Sequence, residues 1–180
     1  MKDKKIELFI SYSSSMSEYI IIVDDNDTVL GYKDRNEIDY GRDIYRVSSL
    51  WITNSQWDIL LAQRAFTKKT TPWLRWPAVA WTNAQGETYE TNIIKEAEEE
   101  LWLKNIKISK ISKTFVRDRK FRRQQFTAVM DVSIKDLLLQ ESEVAQVKWF
   151  TPSEIKELFL DQPEIFVPSF KDIIDIFLRF

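Results

Sequence analysis

Glu96, Glu99 and Glu100 are the residues whose type and spacing point most directly to chemistry. On an α-helix each residue turns by about 100°, so positions i, i+3 and i+4 share one face. Glu98 points to the opposite side. Carboxylates crowded on one face repel one another unless water solvates them or a cation neutralises them. A divalent ion held there would keep positions open for water and for phosphate oxygens of a substrate. A solvated acidic helix surface has the same spacing, and spacing alone does not separate the two readings. The chain contains 0 Cys and 0 His. That removes disulfides, thiolate nucleophiles, Cys/His zinc sites, Ser-His-Asp triads and histidine acid/base catalysis. A metal site must be built from oxygen ligands and would suit a hard cation such as Mg²⁺.

The elements that position these acids follow from local pattern. The 180 residues suit one domain with a real hydrophobic core, at 44% hydrophobic and 30% charged composition. Glu87 to Leu101 carries no Gly or Pro, is rich in Glu, Ala and Leu, and predicts the main helix. Ala84-Gln85-Gly86 is a turn before it. Strands are expected over Glu18–Val23, Thr28–Gly31, Val47–Thr53, Asp58–Ala65, Ile106–Phe115, Gln125–Val132 and Val144–Phe150. Asn54 to Trp57 falls where a hairpin loop belongs, and Arg117 to Arg123 reads as a basic loop. Thr151 is an N-cap, with Pro152 at the first helical position and Glu154 completing a capping box. Phe170 to Leu178 predicts a closing amphipathic helix. Strands, a central helix, more strands and then helices make an α+β domain over 18–180, with 1–17 an extension of no assigned role.

Net charge is −2, which does not suggest bulk nucleic-acid binding. No apolar run is long enough to span a bilayer. The apolar stretch Ile6 to Ile10 is interrupted and too short for a secretory leader, so the cytoplasm is the expected location.

The window from 81 to 103 resembles the Nudix box, G-x5-E-x7-R-E-U-x-E-E-x-G-U, with U aliphatic. Glu87, Glu96, Glu99, Glu100 and Leu103 match in register, Lys95 replaces the arginine, Ala97 fills an aliphatic place, and Trp81 and Trp102 stand at the two glycines. Val23 to Asp27 with Val29-Leu30-Gly31, Ile59 to Arg64, and Glu143 to Phe150 are similar to segments of the isopentenyl-diphosphate-isomerase-like branch of that superfamily. The resemblance implies a Nudix fold, a mixed β-sheet sandwiched between helices. It also implies Mg²⁺- or Mn²⁺-dependent cleavage of a diphosphate in a small-molecule, nucleoside-diphosphate-type substrate. By the family pattern Glu96, Glu99 and Glu100 are the catalytic metal ligands, and Glu87 orients the box by pairing with Lys95. Lys95 keeps the arginine's charge but not its planar fork. A further downstream acid is Glu141 or Glu143. Arg64 and the basic-loop residues Arg117, Arg119, Arg122 and Arg123 are candidates for contacting phosphate, although a solvated charge cluster explains most of that loop equally well. The isomerase uses a cysteine and histidine ligands, and Ala80 and Thr82 stand in that window, so isomerase activity is not expected.

Gly is 3 of 180 and Trp is 7 of 180, an inverted usage. Trp57 sits in the expected hairpin loop, Trp73 follows Pro72 where a type II turn wants glycine, and Trp102 follows the helix end where a left-handed glycine is the usual stop. Trp81 precedes a turn at a position where the box has glycine. Trp51, Trp76 and Trp149 look like ordinary strand or core residues. The four misplaced tryptophans suggest UGA codons that the source organism reads as glycine. The opposing reading is a degenerate box with true tryptophans, in a non-catalytic Nudix-like binding module.

Overall fold

The computed structural model describes residues 17–172 and 174. Its organising element is a long central strand, β3 (Ile44–Thr53), which follows β1 (Tyr19–Val23) and β2 (Val29–Asp34). The chain continues through β4 (Ile59–Arg64), β5 (Arg75–Pro77), β6 (Val79–Thr82), α1 (Tyr89–Leu101), β7 (Ser109–Val116), β8 (Phe121–Val129), β9 (Val144–Phe150) and α2 (Pro152–Asp161). Strand β3 pairs antiparallel with β1, β4 and β6, and parallel with β8 over Tyr45↔Phe121 to Thr53↔Val129. The sheet is therefore mixed, as expected.

Alternation along β3 sorts the layers. Ser48 faces α1, since its hydroxyl donates to the Tyr89 carbonyl at 2.9 Å. Trp51 faces the other way and meets Phe170 with ring centroids 5.7 Å apart. On α1, Ile93, Ala97 and Leu101 are fully buried at i, i+4 and i+8, the stripe that holds the helix on the sheet. Burying each large apolar side chain contributes about 1.5–3 kcal/mol. Phe166, Phe170 and Ile155 fill the second core layer beyond the sheet.

Helix α1, expected from Glu87, begins two residues later at Tyr89, because Thr88 takes the cap and the Glu87 carboxylate bonds back to the Ala84 backbone. Thr88 caps α1: its hydroxyl accepts from the Thr91 backbone at 3.1 Å, while the Thr91 hydroxyl accepts from the Thr88 backbone at 2.8 Å. Thr151 and Glu154 form the anticipated capping box on α2. The turn joining β1 to β2 is tied to three other elements through Asp27. Its carboxylate accepts from Arg46 of β3 at 2.8 Å and from the Tyr89 hydroxyl at 3.0 Å, and it pairs with Lys113 of β7.

Several expectations are corrected. The short strand expected over Thr28–Gly31 runs on to Asp34, and β5 and β6 occupy a stretch assigned no strand. Periodicity is masked there, because Arg75 to Pro77 is too short to alternate and contains a proline. The basic loop is a 3₁₀ turn, Arg117–Arg119, followed by the start of β8, so Arg122 and Arg123 are strand residues. Residues 1–16, and most of the closing helix expected over Phe170–Leu178, lie outside the described residues; Phe170 itself ends a 3₁₀ turn. No described helix is long and apolar enough to cross a membrane.

Candidate functional site

The acidic face of α1 is split by depth. Glu100 is fully buried, Glu96 is 4% exposed, and Glu99 is exposed to solvent. Neither carboxylate oxygen of Glu100 has a hydrogen-bond partner. Burial, reinforced by the charges of Glu96 and Glu143, pushes the Glu100 carboxyl well above its ordinary range, against the pull of Lys68 and Arg64. Burial likewise pushes Glu96 up to about 7, opposed by Lys95, whose ammonium lies 3.0 Å away, and assisted by Glu99 and Glu87. Among the described residues no three acidic side chains converge closely enough to cage a metal as they stand.

Glu87 anchors the loop ahead of α1. One carboxylate oxygen accepts from the Ala84 backbone and from the Asn92 amide, both at 2.8 Å; the other takes Lys95 at 2.7 Å. Lys95 thus reaches both Glu87 and Glu96, and the two charges that hold it raise its pKa despite burial. The pairing expected between Glu87 and Lys95 is present, made by a single ammonium in place of a fork.

The segment after β8 returns to the end of α1, where the Gln140 backbone donates to the Glu100 carbonyl at 3.0 Å. This carries Glu143 toward Glu100, and Glu143 pairs with Lys68 at 2.5 Å. Glu141, two residues earlier, is exposed. The structure therefore separates two acids that the sequence left equivalent.

Next to this acid group opens a cavity of about 1070 Å³, whose ionic lining is basic apart from Asp118. Arg64 lines it, 7% exposed, with its guanidinium 4.2 Å from the Trp76 ring centre. Arg119 lines it too. Arg117 does not; it is exposed, its guanidinium over Phe115. Arg122 also lies over Phe115, at 4.3 Å, and is absent from the cavity wall. Arg35, Lys68 and Arg123 also line the cavity. Arg35 and Lys68 lay outside every sequence pattern, because they come from loops whose spacing carries no motif. Arg123 was among the basic-loop candidates; its place in a strand, two residues beyond Phe121, was not legible from that loop reading.

The four unusual tryptophans divide. Trp57, Trp73 and Trp102 have φ of 67°, 66° and 58°, in the left-handed region that favours glycine. Trp102 ends α1 in left-handed conformation, with its backbone N–H bonded to the Glu98 carbonyl at 3.0 Å, an αL closure, and that of Leu103 bonded to the Ala97 carbonyl at 3.0 Å. Trp81 differs: it sits in β6 opposite Ser48, with no left-handed φ, and its ring is flanked by Arg35 at 5.2 Å and Lys68 at 5.0 Å. Glycine at 81 is not required by the backbone.

Residues 44–170 match the model of the NUDIX domain. The chain belongs to the Nudix family. It is accordingly a pyrophosphohydrolase, a hydrolase acting on acid anhydrides. An uncharacterized Nudix hydrolase of Nostoc sp. is 27% identical over 166 residues, which span 91% of this chain and 95% of that protein. Among solved structures, DR0079 from Deinococcus radiodurans superposes with a TM-score of 0.79 at 19% identity, over 90% of this chain and 100% of the other. The NUDIX domain of Shewanella oneidensis NrtR, solved with ADP ribose, gives a TM-score of 0.58 at 14% identity, over 80% and 90% of the two chains. At these identities the Nudix likeness of the solved structures is a likeness of fold.

Proposed function

We propose that this Nudix enzyme hydrolyses the diphosphate linkage of a nucleoside-diphosphate-type small molecule, using Mg²⁺ or Mn²⁺ held by Glu96, Glu99 and Glu100. The observation that carries the reading is the fully buried Glu100 carboxylate with both oxygens unpartnered. A protein does not retain such a group at rest without cost, and a hard cation is the partner its chemistry fits. When bound, the dication supplies neutralisation of phosphate charge and a more acidic water. The chain's own residues do the rest. Glu87 and Lys95 fix the loop and helix that present the acids. Arg64 meets oxygens of the diphosphate, Arg119 stands on the wall of the same cavity as a further anion contact, and Arg117 is not part of that wall. Glu143 is the further acid of choice over Glu141, because it lies beside Glu100. ADP ribose, bound by the Shewanella domain, belongs to the class of substrate to screen first.

Glycine at 57, 73, 81 and 102 is part of the same proposal. Three of these tryptophans hold left-handed backbone, and each is more than half exposed, so none is there to fill a core. The other non-glycine residues at positive φ include Asp27 and Asn105, types that tolerate it. Trp81, against Lys68 and beside the cavity, is the one whose replacement changes access to the acids. The genomic codons decide: four UGA triplets are expected, and a UGG at any position counts against recoding.

The activity test uses the glycine form with Mg²⁺ and a screen of nucleoside diphosphate compounds. Glu99→Gln and Glu100→Gln are each expected to lower turnover by at least about a hundredfold. Undiminished rates in both would remove the site. Isopentenyl and dimethylallyl diphosphate are not expected to interconvert.

A further inference from the structure

Arg123 rises from β8 on the face away from α1, beside Val47 and two residue pairs before Ser49↔Gln125 in the parallel register. It is 4% exposed and lines the cavity, with one terminal guanidinium nitrogen unpartnered. Among the described residues no carboxylate pairs with it; Asp172 acts on it only from a distance, while Arg119 repels it. The face of Phe121, 4.9 Å from the guanidinium, is its nearest compensation. Arg119 lines the same end, with its Nε also buried and unpartnered. Arg35 gives its Nε to Glu18 at 2.5 Å and keeps one terminal nitrogen buried and unpartnered. The Ser49 hydroxyl and both polar atoms of the Gln125 amide, on the face that carries Arg123, are buried without partners as well.

The basic side chains that act on Glu100 are Lys68 and Arg64, and Lys95 holds Glu96. The groups that act on Arg123 are Arg119, Asp172 and Tyr45, with no acid of α1 among them. One cavity therefore carries a basic lining that runs from Arg64 and Lys68, through Arg35, to Arg119 and Arg123. The diphosphate, which must lie beside the acids, occupies the Arg64–Lys68 end. We propose that Arg119 and Arg123 form a second anion subsite, so that the preferred substrate carries, besides its diphosphate, a distal phosphomonoester or carboxylate group. The proposal rests on reading this cavity as the substrate site. Buried guanidinium forks are matched to either oxyanion, and leaving them unmatched is costly.

Two measurements test it. The first is calorimetric binding of inorganic phosphate to the metal-free full chain, in both its tryptophan and glycine forms. One binding event should survive Arg64→Gln and Arg117→Gln, and weaken at least about tenfold in Arg123→Gln, with Arg123→Lys in between. Arg119→Gln, on an accessible 3₁₀ turn, is the second variant should Arg123→Gln not fold. Phosphate binding unaffected by changes at both 119 and 123 overturns the subsite. The second compares turnover within matched pairs: ADP ribose with and without a 2′-phosphate, and UDP-glucose with UDP-glucuronate. In one pair the anionic member should show a KM lower by about tenfold with kcat little changed, and Arg123→Gln should erase the difference. The pair that responds identifies phosphate or carboxylate. Equal KM within both pairs, or a preference that persists in Arg123→Gln, overturns the proposal. If none of the four compounds is cleaved, the reading of the substrate as a nucleoside-diphosphate-type compound is at fault and the calorimetry alone decides the subsite.

Discussion

Trp102, Trp57 and Trp73 hold a backbone conformation that costs an L-residue with a Cβ about 1–2 kcal/mol, and that glycine adopts freely. Replacing any one by glycine should raise the unfolding midpoint in urea, by about 0.5–1 kcal/mol after the entropy that glycine loses on folding. Trp81→Gly should show no such gain, because its φ is ordinary and its ring is packed. The same scale decides Glu100. In metal-free protein, Glu100→Gln removes a group that burial holds well above its normal pKa, so stability near neutral pH should be unchanged or higher even as turnover collapses. A variant that loses both would mean that Glu100 is a packing residue. Residue types and their spacing made the acids legible in advance, because i, i+3, i+4 is a property of any helix. Depth was not legible: which of Glu96, Glu99 and Glu100 is buried depends on how α1 is rolled against β3 and β6, and the three carboxylates are identical in sequence.

At the level of elements, Asp27 joins a turn to β3, β7 and α1. Burial pushes its carboxyl up, but Lys113 and Arg46 outweigh that and hold it below its ordinary value. A carboxyl depressed in the folded state lends stability that is complete above its unfolded value near 3.8 and lost as pH falls through the lower folded value. Asp27→Asn should therefore destabilise the fold by about 1–3 kcal/mol near neutrality, the deficit shrinking toward pH 2. Asparagine tolerates the left-handed φ of 69° at this position, so the change isolates the charge. Thermal unfolding of both proteins from pH 2 to 7 measures it; parallel curves would show that the carboxylate contributes nothing through its charge. Elements with strong local punctuation were readable: the box from Thr151 to Glu154, and the body of α1. Strand β8 was misplaced at its start because Arg122 and Arg123 look like loop, and only pairing to Arg46 and Val47 explains a guanidinium inside a strand. Asp27's partners lie 19 to 86 residues away, beyond any local pattern.

For the molecule as a whole, metal binding and stability are linked. A ligand that binds only the folded chain raises its unfolding temperature. Millimolar Mg²⁺ should raise it for the glycine form and leave Glu100→Gln where it was; an equal rise in both would place the cation elsewhere. The fold class followed from element order and the mixed sheet from the resemblance to the Nudix pattern, but the cavity followed from neither, because its walls come from loops and strands far apart in the chain. The parallel pairing of β3 with β8 has one more outcome. Residues 45–53 have no partner along that edge until residues 121–129 exist, so a chain emerging from the ribosome carries Leu50, Trp51 and Ile52 without that partner while residues 54–120 are made. During translation this apolar ribbon is where self-association would start, and a chaperone that holds it until β8 arrives would raise the yield of native protein.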